Sequence, residues 1–302
     1  MRIRLVAALL ALSVTAGCAG RAAASGFTGG RLNVVTAFYP LRFLADRITG
    51  GTADVTDLTK PGAEPHDVEL NPRQVARIVD AGLVVYLDGF QPAVDQAVAQ
   101  EAPERALDVA SVVPLLPLST GTDGETETVH GMDPHLWLDP SRYAAVADAV
   151  ATGLARADPA HAAEYQGRAT ALHTELDALD AEFAARLKTC TRREIVTSHS
   201  AFNYLAARYD LTQVGITGIS PEAEPSPRRL AAVAAQARRT GTTTIFFETL
   251  VSPKVAETLA REVGATTAVL DPLEGLTEPG ADYFSVMRAN LAALTGALGC
   301  TS

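Results

Sequence analysis

Three histidines and one aspartate stand where a transition metal can be held: His66, His135, His199 and Asp271. His66 lies in Lys60-Pro61-Gly62-Ala63-Glu64-Pro65-His66-Asp67, the loop that follows the apolar run 55–59. His199 directly follows Ile195-Val196-Thr197-Ser198, and Asp271 directly follows Ala268-Val269-Leu270. His135 opens His135-Leu136-Trp137-Leu138, after the loop Gly131-Met132-Asp133-Pro134. In α/β sheets, ligands gather where loops leave the carboxyl ends of strands. Three imidazoles and a carboxylate are donors that Zn²⁺ accepts in a closed four-coordinate sphere. An all-oxygen set would suit Mn²⁺ or Mg²⁺ instead. Zinc is therefore the expected ligand, although copper, nickel and iron also take imidazole.

Each residue taken alone has a plainer reading. His66 can be a surface residue of a Pro-Gly loop, and His135 can pack half-buried beside Trp137. Asp271 before Pro272 can be a turn former. His199, after an apolar strand and between two serines, is the most suggestive, and the four together carry more weight than any one. Asp67 and Glu69 are candidates to orient a bound imidazole, or to cap the next turn. His130 shares an acidic loop with Asp123, Glu125, Glu127 and Asp133, and reads as a solvated loop or a weak collecting site. His161 and His173 read as exposed helix positions. The chain has no HExxH, GxSxG, phosphate-loop or dinucleotide-binding pattern, so binding without catalysis is expected.

The elements that must position these residues alternate. Strands are expected at 32–37, 55–59, 83–87 and 106–109, then at 194–198, 214–217, 243–247 and 266–270. Helices are expected at 40–48 and 72–80, at 140–157 with Asp139 as cap and Pro140 at the first position, and between the later strands. This pattern predicts an α/β fold with mostly parallel sheets. Residues 159–187 hold only Gly167 as a breaker, with leucines at 172, 176, 179 and 187 on one side. A continuous helix there would be a rod about 43 Å long. The resulting division is an N-terminal lobe at 31–157, a connecting helix at 158–188 and a C-terminal lobe at 189–302. A weak internal echo lays 35–47 over 196–208, which favours two lobes of similar topology. Phe38 then stands where His199 stands in the second copy, so the local fold does not demand that histidine.

The first residues read as a targeting segment. Arg2 and Arg4 precede a short apolar run, and residues 1–17 are expected to be removed. The small residues before Cys18 resemble a lipobox, which predicts lipidation of Cys18, with 18–30 as a tether reaching roughly 20 Å. Thr15 departs from the usual aliphatic residue of that pattern. Outside the cytoplasm the remaining Cys190 and Cys300 are expected to pair, the alternative being two buried thiols. Loss of the leader, with its two arginines, takes the formal charge from −10 to −12. An acidic chain with no basic cluster argues against nucleic acid as partner. The expected setting is the outer face of a cell membrane or the periplasm, as a monomer.

The motifs resemble one family. Pro61-Gly62-Ala63-Glu64-Pro65-His66-Asp67, Asp133-Pro134-His135-Leu136-Trp137-Leu138-Asp139-Pro140 and Thr197-Ser198-His199-Ser200-Ala201-Phe202-Asn203-Tyr204-Leu205 are similar to the zinc-type solute-binding proteins of bacterial ABC metal importers, the cluster A-I (cluster 9) receptors. The loop from Gly218 to Pro227 and the ending Tyr283-Phe284-Ser285-Val286-Met287-Arg288-Ala289-Asn290-Leu291 also match. The resemblance implies two lobes joined by a rigid helix, with metal in the cleft between them. It implies His66, His135, His199 and Asp271 as ligands, and delivery of Zn²⁺ to a membrane permease. Manganese-type members carry a carboxylate at the position of His199, so the resemblance favours zinc over a manganese or iron receptor. A zinc hydrolase and a surface adhesin are the rival readings.

Overall fold

The computed structural model describes residues 26–118 and 131–301. The expected leader, Cys18 and His130 lie outside the described residues. The chain opens with strand β1 (Phe27–Thr28), β2 (Arg31–Thr36), helix α1 (Tyr39–Thr49), β3 (Asp54–Asp57), α2 (Pro72–Asp80), β4 (Leu83–Tyr86), α3 (Pro92–Glu101) and β5 (Ala106–Asp108). Two helices follow, α4 (Pro140–Ala157) and α5 (Ala162–Leu187). The second half is β6 (Glu194–Thr197), α6 (Asn203–Arg208), β7 (Thr212–Gly215), α7 (Pro227–Thr240), β8 (Thr244–Phe247), α8 (Lys254–Val263), β9 (Thr266–Val269) and α9 (Tyr283–Leu298).

Each half forms its own parallel sheet. The first runs β3-β2-β4-β5, with β1 pairing antiparallel to β2, and the second runs β7-β6-β8-β9. In order of appearance both read second, first, third, fourth, so the two lobes share one topology, as the internal echo suggested. Helices between the strands make the parallel pairing possible, and the central strands are apolar on both faces because both are covered. Val34, Val84 and Val85 in one sheet and Ile195, Val196 and Ile245 in the other are at most 1% exposed.

Residues 26–30, expected to belong to the tether, are instead the first piece of the fold. Phe27 and Thr28 pair with Leu32 and Arg31. Gly29 and Gly30, at φ 58° and 83°, make the two-residue turn that a tight hairpin requires. A small, polar composition concealed this strand. α3 is not among the expected helices, because its ten residues carry only Val94, Ala97 and Val98 as buried apolar side chains.

α5 begins three residues later than expected, after a single 3₁₀ turn at Pro159–His161. Its buried face is Tyr165, Ala169, Leu172, Leu176, Leu179, Phe183 and Leu187, spaced three and four apart as one helical stripe demands. That stripe packs on α4, α1 and α9, so elements from both halves share the helix. It is a packed member of the core rather than a free-standing rod. At the start of α4, the Asp139 carboxylate accepts from the backbone N–H groups of Ser141 and Arg142, the cap expected there.

The end of α5 is tied to the end of α9 by a disulfide between Cys190 and Cys300, 110 residues apart. A cross-link closing so long a loop restricts the unfolded chain strongly. The Cys190→Ser/Cys300→Ser double variant is expected to lose about 2–5 kcal/mol in urea unfolding. An unchanged transition midpoint would show that the bridge does not stabilise this fold. No helix among the described residues is long and apolar enough to cross a membrane.

Candidate metal centre

Four loops bring donors to one point between the sheets. His66 follows β3, His135 comes after β5 in chain order, and His199 follows β6. The fourth donor follows β9, and it is Glu274. The donor atoms of His66, His135, His199 and Glu274 all lie within 4.8 Å of one another. Glu274 Oε1 stands 3.4 Å from His66 Nε2, 3.0 Å from His135 Nε2 and 3.3 Å from His199 Nε2. The His135, His199 and Glu274 side chains are at most 1% exposed, while that of His66 is 9% exposed.

Asp271, the expected fourth ligand, is not in this group. Its Oδ2 accepts from Thr249 Oγ1 at 3.0 Å and its Oδ1 accepts from the Leu273 N–H at 2.7 Å. Its own backbone is clamped by Asn290 of α9, which accepts from Asp271 N–H and donates to the Asp271 carbonyl. Asp271 is thus the turn former that its place before Pro272 also allowed. The turn it closes holds Leu273 at φ 61°, a left-handed conformation that costs a leucine energy and is retained where surroundings enforce it. Trp137 Nε1 donates to the Pro272 carbonyl at 2.7 Å and adds a restraint from the other lobe. The result is that Glu274, three residues on, faces the histidines. Asp271 is the first carboxylate after the strand, and only the path of the turn distinguishes it from Glu274.

The histidine rings differ in how they are held. His135 Nδ1 is 2.8 Å from Asp133 Oδ1, which also accepts from the His135 backbone N–H. His199 Nδ1 is 2.7 Å from Glu248 Oε1. With each Nδ1–H donating to a carboxylate, each Nε2 is left to face the centre. The expected orienting residues Asp67 and Glu69 are exposed and do not occupy this role. His66 is instead fixed through its backbone, whose N–H donates to Glu64 Oε1, and by edge-on packing with Phe90. His161 and His173 sit outside the centre, against Asp158 and Asp148.

The electrostatics suit a cation. Burial alone would raise the Glu274 pKa, but His199, His135 and His66 hold it well below the usual carboxylate range. Burial alone would lower His199, yet the carboxylates of Glu274 and Glu248 outweigh it and push the pKa up to about 10. His135 is also raised, Asp133 and Glu274 overcoming its burial. His66 is lowered by burial. Glu64 is pushed up to about 8 by burial and by Glu274. His199 Nε2, though 3.3 Å from Glu274 Oε1, is not aligned for a hydrogen bond, and Glu274 Oε2 also has no partner. Buried polar atoms are seldom left so. A divalent ion among the four donors satisfies both atoms at once.

The arrangement has counterparts in known proteins. The model of the family described as zinc-uptake complex component A, periplasmic, matches residues 34–297. The zinc-binding lipoprotein AdcA of Streptococcus pneumoniae is 36% identical over 96% of this chain, which covers 59% of that protein. The chain spans little more than half the length of the curated AdcA relatives it matches first. Among solved structures, the Zn(II)-bound ZnuA-like domain of S. pneumoniae AdcA is 36% identical and superposes with a TM-score of 0.76, over 89% of this chain and 99% of that one. The laminin-binding protein Lmb of Streptococcus agalactiae, described as having adhesin and metal-transporting activity, is 33% identical with a TM-score of 0.78, over 88% of this chain and 98% of that one. The chain therefore belongs to the family of periplasmic A components of zinc-uptake complexes.

Proposed function

We propose that this protein is an extracytoplasmic receptor that captures one Zn²⁺ with His66, His135, His199 and Glu274 and delivers it to the membrane permease of an ABC importer. The observation that carries the reading is the convergence of three imidazole Nε2 atoms on one buried carboxylate, with His199 Nε2 and Glu274 Oε2 lacking hydrogen-bond partners. Four protein donors satisfy the coordination number zinc favours in closed sites and leave no place for a reacting water. The zinc-binding name of the AdcA relative and the zinc in its solved domain support the choice of metal. That relative's description as a lipoprotein supports an N-terminal lipid on Cys18 after removal of residues 1–17. The two sheets and the helix shared between them support the division into lobes at 31–157 and 189–302, with 158–188 between.

The test is direct. Protein stripped with chelator, reloaded with zinc and dialysed is expected to retain one zinc per chain by elemental analysis. Retention of none would remove the proposal. A second reading, adhesion, has the similarity to Lmb in its favour. It requires saturable binding of laminin by the purified chain, and zinc capture does not depend on it.

A further inference from the structure

We infer that Glu248 is a positioning residue for metal capture, one that fixes the His199 ring so that its Nε2 is presented to the ion; the inference rests on the proposed zinc reading. It begins with strand register. β6 and β8 pair in parallel with Val196 opposite Ile245 and Thr197 opposite Phe246. Two residues further along each chain, just past the ends of the two strands, are His199 and Glu248, whose side chains meet there. The sheet therefore delivers this carboxylate to this imidazole, and no long-range accident is needed. In the strand order β7-β6-β8-β9, the gap between β6 and β8 is also where successive connections depart in opposite directions, the crevice in which such sheets place ligands.

The contacts complete the case. Glu248 is 2% exposed, and its Oε1 accepts from His199 Nδ1–H at 2.7 Å and from Ser198 Oγ at 3.1 Å. The His199 carbonyl is held separately, by Thr197 Oγ1 at 2.6 Å and Gln213 Nε2 at 3.0 Å. The backbone is thus fixed by neutral groups, and the ring by Glu248. In the first lobe the corresponding position after β2 is Phe38, which packs on Phe90 with ring centres 4.7 Å apart. One crevice is closed by aromatic packing, and its counterpart spends a buried carboxylate on a histidine. A buried carboxyl group is costly to keep, and the oxygen of Glu248 that finds partners is turned on the His199 ring and its neighbour Ser198.

Zinc affinity by competition with a chromogenic chelator, and nitrogen NMR of the zinc-loaded protein, decide the matter in Glu248→Ala and Glu248→Gln. The alanine variant is expected to bind zinc 10–100-fold more weakly, the range for loss of such an outer partner. The glutamine variant keeps an acceptor oxygen, and is expected to recover most of the affinity and to retain the slowly exchanging His199 Nδ1–H signal. A loss below tenfold in Glu248→Ala overturns the inference. So does a Glu248→Gln variant that loses as much as Glu248→Ala, or that lacks the Nδ1–H signal while binding zinc. If Glu248→Ala fails to fold, Glu248→Gln decides alone by the same signal and by an affinity within tenfold of the parent. A parent chain that retains no zinc would instead remove the underlying reading, which separates the two failures.

Discussion

Glu274→Ala is expected to weaken zinc binding by roughly two orders of magnitude, and Asp271→Ala by about tenfold or less. The larger figure follows from the energy of such centres. Zinc bound by four protein donors is worth about 10–16 kcal/mol, or about 3 kcal/mol for each donor. Each 1.4 kcal/mol is a factor of about ten. Glu274 touches all three Nε2 atoms, so its loss removes both a ligand and the charge that draws the cation in. Asp271 touches none of them and acts through the Leu273 N–H and Thr249. Its removal takes away two hydrogen bonds, worth about 1 kcal/mol each to the fold, and only part of that loss reaches an ion that Asp271 does not touch. Competition titration of both variants against one chelator makes the comparison. An Asp271→Ala loss equal to that of Glu274→Ala would return Asp271 to the ligand set.

The second large effect is on pH. In the metal-free chain His199 holds its proton to about pH 10, because Glu274 and Glu248 overcome the burial that opposes it. Zinc needs Nε2 neutral, so capture displaces at least this proton. Apparent affinity is therefore expected to fall at least about tenfold for each unit of acidification through the neutral range, and more steeply where the raised His135 also holds a proton. Stability of the metal-free form runs the other way. A histidine raised above its unfolded value contributes stability that is complete below about pH 6.5 and disappears as pH climbs towards 10. Glu274, held low by the same histidines, contributes stability above its ordinary range that is lost as acid protonates it. From this centre, stability of the metal-free chain should decline from pH 6.5 to 9. Over the same window the zinc-loaded chain should stay about level at fixed free zinc, since binding that tightens with pH offsets that decline. Thermal unfolding at several pH values, with zinc and after chelation, reads both slopes. Parallel slopes would contradict the assignment.

Much of this was legible beforehand because the signals were local. Period and length marked the strands, and the helix starts expected at Pro140, capped by Asp139, and at Pro72 fall at the same residues in the structure. His66, His135 and His199 were visible because each sits in an unusual loop, and the structure brings their rings together. Glu274 was not visible, since the turn Asp271-Pro272-Leu273 reverses expectation through one left-handed leucine. The partners Asp133 and Glu248 were missed for different reasons. Asp133 lies two residues before His135 and read as part of an acidic loop, whereas Glu248 meets His199 only through strand register across 49 residues. Asp67 and Glu69 were favoured by proximity in sequence, which does not decide what a ring nitrogen meets.

The walls of the centre combine two kinds of side chain. The rings of Phe38, Phe90 and Trp137 pack in mutual contact and against His135, and form its aromatic side. The carboxylates of Glu274, Glu248 and Asp133 stand almost without solvent. An ion that enters must shed its water, because the aromatic side offers nothing in exchange for it. Mg²⁺ gives up its hydration shell reluctantly and demands six oxygens, so such a chamber taxes it heavily. An ion content with four donors, three of them nitrogen, meets no such toll. Selection against Mg²⁺ thus comes from the apolar wall as well as from the ligands.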